Sequence, residues 1–212
     1  MSALTFGALR SRDTPRQARA VGRVHAILRS AAELLAEKPV AELSTTAIAA
    51  HGGFPVSSIY RYFPTLDDVL RELYLQTAAE LREKLFGIFE DSEAYPHWRD
   101  RLEAALLTQR GYLARHPYYR PLLMRFIVNR TAPALEDEDH EELVSFLRQR
   151  WADGHDGFHG GDPALVADVT VQIALSMEDL VAAQPSRDAS RPYSRELMVL
   201  LEGYLSRYLS DD

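Results

Sequence analysis

Residues 57–63, SSIYRYF, bring hydroxyl, phenol and guanidinium groups together within seven positions. Such groups donate hydrogen bonds to phosphate oxygens and base edges, and none of them brings negative charge. An α-helix turns about 100° per residue, so Ile59 and Phe63 fall on one side of a helix formed by this segment. The polar side chains face away from that side, namely Ser57, Ser58, Tyr60, Arg61 and Tyr62. The segment therefore predicts a helix with an outer surface suited to nucleic acid.

Turn signals divide residues 44–63 into two short helices. Ser44 is a favourable N-cap for the first, over residues 45–51, because its hydroxyl accepts a hydrogen bond from a backbone amide of the first turn. A pair of glycines then ends this helix, since glycine adopts positive φ without steric cost. A proline at position 55 suits the start of the second helix, and another proline follows Phe63 and ends it. The segment fits a helix-turn-helix.

Longer helical patterns surround this pair. Apolar residues recur at steps of three and four over residues 16–38, which predicts one amphipathic helix. Thr65 and Asp68 resemble a capping box at the start of a helix that reaches about residue 90. Further helices are predicted near 96–115, 118–128, 137–152, 163–184 and 192–209, with turn residues between them. No alternating strand pattern of useful length appears, so we expect an all-α fold.

Charge is divided unevenly along the 212 residues. Residues 1–66 carry eight basic and four acidic side chains, a net charge of +4, whereas the whole chain carries −7 and the remainder therefore −11. A small basic module joined to an acidic body fits local phosphate binding in an otherwise acidic protein. We expect a DNA-binding domain with a basic N-terminal arm over 1–66, and a helical ligand-binding and dimerisation domain over 67–212.

Composition excludes several other classes of site. The chain has no cysteine, so neither a disulfide framework nor a thiolate metal site is available. No stretch approaches the ~20 apolar residues of a membrane-spanning helix. Residues 1–17 show no signal-peptide pattern. We therefore expect a cytoplasmic protein with no cofactor, no metal and no membrane partner.

The helix-turn-helix and its surroundings resemble the DNA-binding domain of the TetR family of transcriptional repressors. The resemblance covers about residues 16–75, from RVHAILRSAAELLAE through LSTTAIAAHGGFPVSSIYRYFPTLDDVLREL. Its most typical features are Ile48-Ala49, Gly53, the run from Ile59 to Phe63, and a capped helix beginning at Thr65. The resemblance implies an all-α homodimeric repressor that binds a palindromic operator in double-stranded DNA and is released by a small-molecule ligand.

The resemblance also implies roles for individual residues at the DNA. Thr46 would contact a phosphate or a base, residues 56–58 would enter the major groove, and two tyrosines would contact phosphates. Val56 would read a thymine methyl group or pack inward. Leu66 stands where the family often has a phosphate-binding lysine, which backbone amides at the helix N-terminus would partly replace. The full set expected at the DNA is Arg16, Arg19, Thr46, Val56, Ser57, Ser58, Tyr60, Arg61 and Tyr62.

The remaining helices carry the expected ligand and dimer surfaces. An uncharged, aromatic or cationic ligand is expected against aromatic walls. The residues expected to line that pocket are Trp98, Tyr112, Phe126, Phe146, Met177 and Glu178. Glu178 has two interpretations, a polar anchor inside the pocket or, as favoured here, a residue at a solvated edge. The residues expected at the dimer interface are Val166, Val169, Ile173, Leu180, Leu197, Leu201, Tyr204 and Leu205.

The glycine-rich segment 154–162 contains His155, Asp156, His159 and Asp162. Its glycines argue against the helix that would hold two histidines on one face, so a mobile loop is favoured over a metal site. An enzyme built around this loop is a weak alternative to a regulator, and no other catalytic constellation stands out. A further alternative is a DNA-binding regulator that responds to no small molecule.

Overall fold

The computed structural model describes residues 15–129 and 134–210, with the side chains of these residues except 15–17, 127–140 and 187. Within these ranges the chain forms α-helices and two short 3₁₀ turns, without a strand, which confirms the predicted all-α fold. The helices are α1 (Pro15–Glu37), α2 (Thr45–Gly52), α3 (Val56–Tyr60), α4 (Leu66–Glu90), α5 (Trp98–Arg115), α6 (Tyr119–Asn129), α7 (Ala134–Ala152), α8 (Pro163–Ala182) and α9 (Arg187–Leu205). None of them combines the length and the apolar character that a membrane-spanning helix requires.

Two compact units divide the chain. Among the described residues, the first comprises those up to Thr77 together with His116–Leu122, and the second comprises Ala78–Arg115 and those from Leu123 onward. One boundary therefore falls inside α4. These units are defined by contacts within each part of the chain, and such contacts do not show which segment binds DNA. The expected domain boundary after residue 66 stays a prediction.

The first unit has a core built on α1. The apolar stripe predicted for this helix is buried, with Ile27 and Ala31 fully inaccessible. Ile48 of α2 and Ile59 of α3 are equally inaccessible, as are Val69 and Leu70 at the start of α4. Burying these side chains fixes the positions of α2 and α3, because each short helix is anchored through its own isoleucine.

The second unit has a larger core between α5, α7, α8 and α9. Its buried members are Trp98, Leu102, Leu106, Leu147, Trp151, Val166, Ala167, Val171, Leu197, Leu201, Leu205 and Leu209. A smaller cluster joins α4 to α5 through Leu81, Leu85, Ala105 and Tyr112. Because α9 contributes a full stripe to the main cluster, it belongs to the fold of the single chain.

The last helix begins earlier than the sequence predicted. The turn-forming composition of QPSRDASRP predicted a start at about residue 192, whereas α9 begins at Arg187. The hydroxyl of Ser186 caps it by accepting a hydrogen bond from the amide of Ala189 at 3.2 Å. Pro192 lies in the second turn, where its missing N–H forgoes a single hydrogen bond while the helix continues. The prediction was wrong because it gave the proline more weight than the cap.

Candidate nucleic-acid interface

The turn between α2 and α3 depends on two adjacent glycines. Ser44 caps α2 by accepting from the amide of Ala47 at 3.1 Å, as predicted. Gly53 follows the helix in the left-handed conformation at φ +66°, which glycine adopts without steric cost. At Gly52 a Cβ atom would collide with the ring of Phe54 and the hydroxyl of Ser30. The glycine pair thus lets the chain reverse tightly, with α2 packed on α1 and α3 packed on α2.

The helical part of residues 56–63, called here the recognition segment, is shorter than expected. We predicted a helix to Phe63, whereas α3 ends at Tyr60 and the next three residues form a turn. The amides of Tyr62 and Phe63 both donate to the carbonyl of Ile59, at 2.9 Å each. Proline at position 64 disfavours the helical conformation at Phe63, so the helix cannot extend through that residue. Phe63 is still buried, so the inward side of the segment is the predicted one.

The described residues predicted to contact DNA reach the surface to different extents. Thr46, Ser57, Tyr60, Arg61 and Arg19 are exposed, whereas Val56, Ser58 and Tyr62 are half-buried. The side chain of Arg16 lies outside the described side chains. No acidic residue occurs between Ser44 and Phe63, so this surface presents hydroxyl, phenol and guanidinium groups without a carboxylate among them. Their assignment as DNA contacts stays a prediction.

Two contacts at this surface were missed by the sequence reasoning. The hydroxyls of Thr45 and Tyr60 lie 3.1 Å apart and share a hydrogen bond, so α2 restrains the phenol that α3 presents. The guanidinium carbon of Arg61 lies 5.8 Å from the ring centroid of Tyr62, within cation–π range. The sequence places Thr45 directly after an N-cap serine, at the start of α2. It gave no indication that the hydroxyl of Thr45 would meet Tyr60, which lies 15 residues further along the chain.

The start of α4 is a complete capping box. The amide of Thr65 donates to Asp68 Oδ2 at 2.8 Å, and the amide of Asp68 donates to Thr65 Oγ1 at 3.2 Å. The predicted capping box is confirmed, with aspartate in the place of the more usual glutamate. These two amides are already paired within the chain. The expectation that helix N-terminal amides replace a lysine near Leu66 is therefore weakened.

The residues predicted for a ligand pocket are distributed over several clusters in the described part of the chain. Trp98 and Met177 contact the main core of the second unit, whereas Tyr112 lies in the smaller cluster and donates to Glu80 at 2.9 Å. Phe126 is buried. The ring of Phe146 stacks on that of Phe86 with centroids 4.1 Å apart. As pocket walls these residues stay predictions.

Glu178 is buried, with 2% of its surface exposed, so the favoured solvated placement was wrong. Its Oε1 accepts a hydrogen bond from Arg110 Nε at 2.7 Å. A carboxylate in a protein interior needs such a partner, because desolvation of an unpaired charge is strongly unfavourable. The spacing along the chain gave no indication of this pairing across 68 residues.

The segment containing His155 and His159 is held in place through Asp156. Its carboxylate accepts hydrogen bonds from Arg150 Nε at 2.7 Å, from Arg101 Nη2 at 2.5 Å and from Trp151 Nε1 at 3.1 Å. Burial alone would raise the pKa of Asp156, but the bonds and charges of the two arginines outweigh burial and lower it. The mobile loop favoured from sequence was therefore wrong. Within the described residues no cluster of metal-ligating side chains forms here or elsewhere.

The predicted dimer residues divide between core and surface. Val166, Leu197, Leu201 and Leu205 are at most 2% exposed within the single chain, so their side chains face its own core. Val169, Ile173 and Tyr204 are half-buried, and Leu180 is 49% exposed. Dimer contacts of these two helices would therefore lie on their other faces, and the dimer stays a prediction. Large apolar side chains exposed on these two helices are Leu165, Leu175, Leu180, Tyr193, Val199 and Leu200.

Comparison with known proteins gives the same fold and a family match over the N-terminal region. Residues 27–73 match the family model of bacterial regulatory proteins of the tetR family. A TetR-family transcriptional regulator from Streptomyces coelicolor is similar at 26% identity with a TM-score of 0.59, over 88% of this chain and 99% of that one. No curated protein matches the sequence significantly.

Two further solved structures share the fold at lower identity. A putative TetR-family transcriptional regulator from Mesorhizobium loti has a TM-score of 0.70 at 17% identity, over 91% of this chain and 99% of that one. The other is SmeT, the repressor of the Stenotrophomonas maltophilia multidrug efflux pump SmeDEF. Its TM-score is 0.60 at 17% identity, over 89% of this chain and 91% of that one. SmeT has also been solved in complex with triclosan. Residues 27–73 thus form a helix-turn-helix region that matches the tetR family model, and the chain shares its all-helical fold with TetR-family regulators of known structure.

Proposed function

We propose that this chain is a homodimeric transcriptional repressor that binds a palindromic operator and is released by a small molecule. The observation that carries the proposal is the surface of α2 and α3. It presents Thr46, Ser57 and Tyr60 on two helices anchored by buried isoleucines, and Arg61 in the turn that follows. A helix held in this way enters a major groove as one rigid element, with its donors at fixed positions. Phosphate contacts then provide affinity and base contacts provide specificity.

The apolar side chains exposed on α8 and α9 support the homodimer. Burying them against a second copy removes apolar surface from water, which favours association. Pairing of the same helices from two chains generates two-fold symmetry, and a two-fold dimer requires a palindromic operator. Sedimentation at micromolar concentration should show a dimer, and a monomer there would contradict this part of the proposal.

The test of DNA recognition is selection from a random pool of double-stranded DNA, followed by footprinting of the selected sequence. We expect an inverted repeat, protected on both half-sites, with affinity that falls steeply as salt rises because counterions are released. Protection without sequence preference would contradict the proposed operator. A fully cytoplasmic location follows from the same proposal.

Regulation by a small molecule is supported by the second unit, since its helical architecture is shared with SmeT, whose complex with triclosan is known. Such a ligand must bind the operator-competent and released states with different affinities, typically by about 1–3 kcal/mol. Ligand-dependent loss of the footprint is the expected result. A footprint insensitive to every compound that binds the protein would favour a regulator without an effector.

A further inference from the structure

The side of α9 that faces solvent carries a stripe of two charged residues, a leucine and a glycine. A helix turns about 100° per residue, which places these four residues within about 60° of one another. All four are exposed in the single chain, and the leucines that α9 contributes to the core lie on another side of the helix. The members of this stripe, called here the α9 stripe, are Glu196, Leu200, Gly203 and Arg207.

Arg207 belongs to the stripe although α9 ends at Leu205. Ser206 has helical dihedral angles, φ −59° and ψ −11°. The amide of Leu209 donates to the carbonyl of Leu205 at 2.8 Å, and this bond over four residues continues the helical pattern through the turn. The side chain of Arg207 therefore stays in line with Gly203, one turn further along the chain.

Opposite charges stand at the two ends of the stripe. Glu196 and Arg207 are exposed, and neither has an ion-pair partner among the side chains that the structure describes. Between them, Leu200 has 48% of its surface exposed. A Cβ atom at Gly203 would have open space around it, so the fold of the single chain does not require glycine there. Glycine inside a helix is unfavourable relative to alanine, but it allows another side chain to approach the backbone closely.

Two-fold symmetry allows two ways of pairing the α9 stripe with a second copy. In a parallel pair each residue meets its own copy, so glutamate faces glutamate and arginine faces arginine. In an antiparallel pair whose axis passes between residues 201 and 202, Glu196 meets the partner's Arg207. The same axis brings Leu200 over the partner's Gly203, because both pairs have the same midpoint. Like charges across an interface are unfavourable, so the order of charges favours the antiparallel pair.

We propose that the α9 stripe binds the α9 stripe of a second copy in this antiparallel register. Two ion pairs between Glu196 and Arg207 then flank two contacts between Leu200 and Gly203. Burial of the leucine favours association, whereas the ion pairs fix the register and select the partner. The inference rests on the proposed homodimer and deepens it, since it names the residues by which this chain selects its own copy over a chain with another order of charges.

Charge reversal in the full chain tests the register by sedimentation equilibrium. In the homodimer, Glu196→Arg brings two arginines together on both sides of the axis, and Arg207→Glu does the same with two glutamates. Each variant should raise the dissociation constant of the dimer at least about tenfold, because two attractions become two repulsions. The matched controls are Glu83→Arg on α4 and Arg148→Glu on α7, at exposed positions outside α8 and α9. Both controls should dimerise as the wild type does.

Mixing the two reversal variants is the sharpest measurement. In a heterodimer of Glu196→Arg with Arg207→Glu, every arginine of the stripe again faces a glutamate. The equimolar mixture should therefore form a dimer about as stable as the wild type, although neither variant does so alone. A chain that carries both reversals should likewise dimerise with itself. Both rescues remain informative if a single variant unfolds when it dissociates, because each rescue restores the two ion pairs.

A substitution at the glycine tests the leucine contact without changing charge. Gly203→Trp places a large ring where the partner's Leu200 lies and should raise the dissociation constant of the dimer at least about tenfold. Gly87→Trp is the control, since Gly87 is also an exposed helical glycine with open space at its Cβ position. A dimer as stable in Gly203→Trp as in the control would overturn the proposed register.

The remaining outcomes separate this register from the proposed function. Reversal variants that dimerise as tightly as the wild type, or that recover neither in the mixture nor in the double variant, would overturn the register and leave the homodimer to another surface. A monomeric wild type would overturn the homodimer and the register together. A rescued heterodimer that protects no inverted repeat in a footprint would support the register and contradict the proposed operator.

Discussion

The two units of this protein use arginine in opposite ways. In the first unit Arg61 is exposed beside the recognition helix, where its guanidinium is available to a phosphate or base. In the second unit Arg101 is buried at 5% exposure, and its guanidinium bonds Asp156 and the carbonyl of Tyr95. The contrast shows that an arginine stays available for recognition where solvent surrounds it, and that it stabilises the fold where a buried carboxylate neutralises it.

The largest effect should come from removing the carboxylate that neutralises the buried arginines. Asp156→Ala leaves Arg101 and Arg150 without their shared partner, and we expect a loss of about 3–5 kcal/mol in the free energy of unfolding. Urea denaturation measures it. Asp188→Ala is the matched control, because Asp188 pairs with Arg191 at 3.2 Å on the exposed surface and should change stability by about 0.5 kcal/mol or less. If Asp156→Ala lowered the free energy of unfolding no more than Asp188→Ala, the buried arginines would not stabilise the second unit as proposed.

Acid should weaken the second unit through the same carboxylate. The folded-state pKa of Asp156 is lowered by its arginine partners, so its contribution is complete above the unfolded pKa of about 3.9 and is lost as pH falls through the folded pKa. The free energy of unfolding should therefore drop on acidification below about pH 4. Urea midpoints measured from pH 7 to pH 3 should fall less steeply in Asp156→Asn than in the wild type. Parallel curves would exclude Asp156 as a source of the acid sensitivity.

Substitutions at the candidate interface of the first unit should have the opposite effect. They should lower the affinity for the operator and leave the free energy of unfolding unchanged. Because α1 begins at Pro15, substitution of Arg16 and Arg19 is a cleaner test of the basic arm than deletion, which would remove the first turn. The double alanine variant should bind operator about tenfold more weakly and lower the salt slope by about 0.9 for each lost phosphate contact. The control is Arg148→Ala, an exposed arginine of the second unit. An unchanged slope would show that neither arginine meets a phosphate.

The smallest effects should come from the single phenols of the recognition segment. Tyr60→Ala or Tyr62→Ala removes one phosphate hydrogen bond and should weaken operator binding by about 1 kcal/mol. Fluorescence anisotropy at fixed salt measures this, and the urea midpoint shows that the protein remains folded. Tyr95→Ala is the control, since Tyr95 is a half-buried tyrosine between α4 and α5, away from α2, α3 and the helices expected to form the dimer. Full affinity in both variants would place the DNA on another surface.

Much of the first unit could be predicted because its signals are local. The cap of α2 joins Ser44 to Ala47, and the box at α4 joins Thr65 to Asp68, each within three residues. The polar groups of the candidate interface were likewise visible in one run of seven residues. The end of α3 was placed three residues too late, at Phe63, because a proline restricts the residue before it and does not by itself fix where the last helical turn ends.

The second unit was predicted less well because its decisive contacts are distant in sequence. Asp156 meets Arg101 across 55 residues, and Arg110 meets Glu178 across 68. Periodicity marked Leu197, Leu201 and Leu205 as apolar but gave no indication of whether they face the chain's own core or a partner. Only packing against α5, α7 and α8 decides that.

The sequence by itself determined the helical class, the helix-turn-helix and its caps, because propensity, capping and turn chemistry act within about four residues. The tertiary structure decided which charges are buried and paired, which leucines form the core, and which side of α9 faces solvent. Those outcomes depend on desolvation, and desolvation depends on neighbours that only folding brings together.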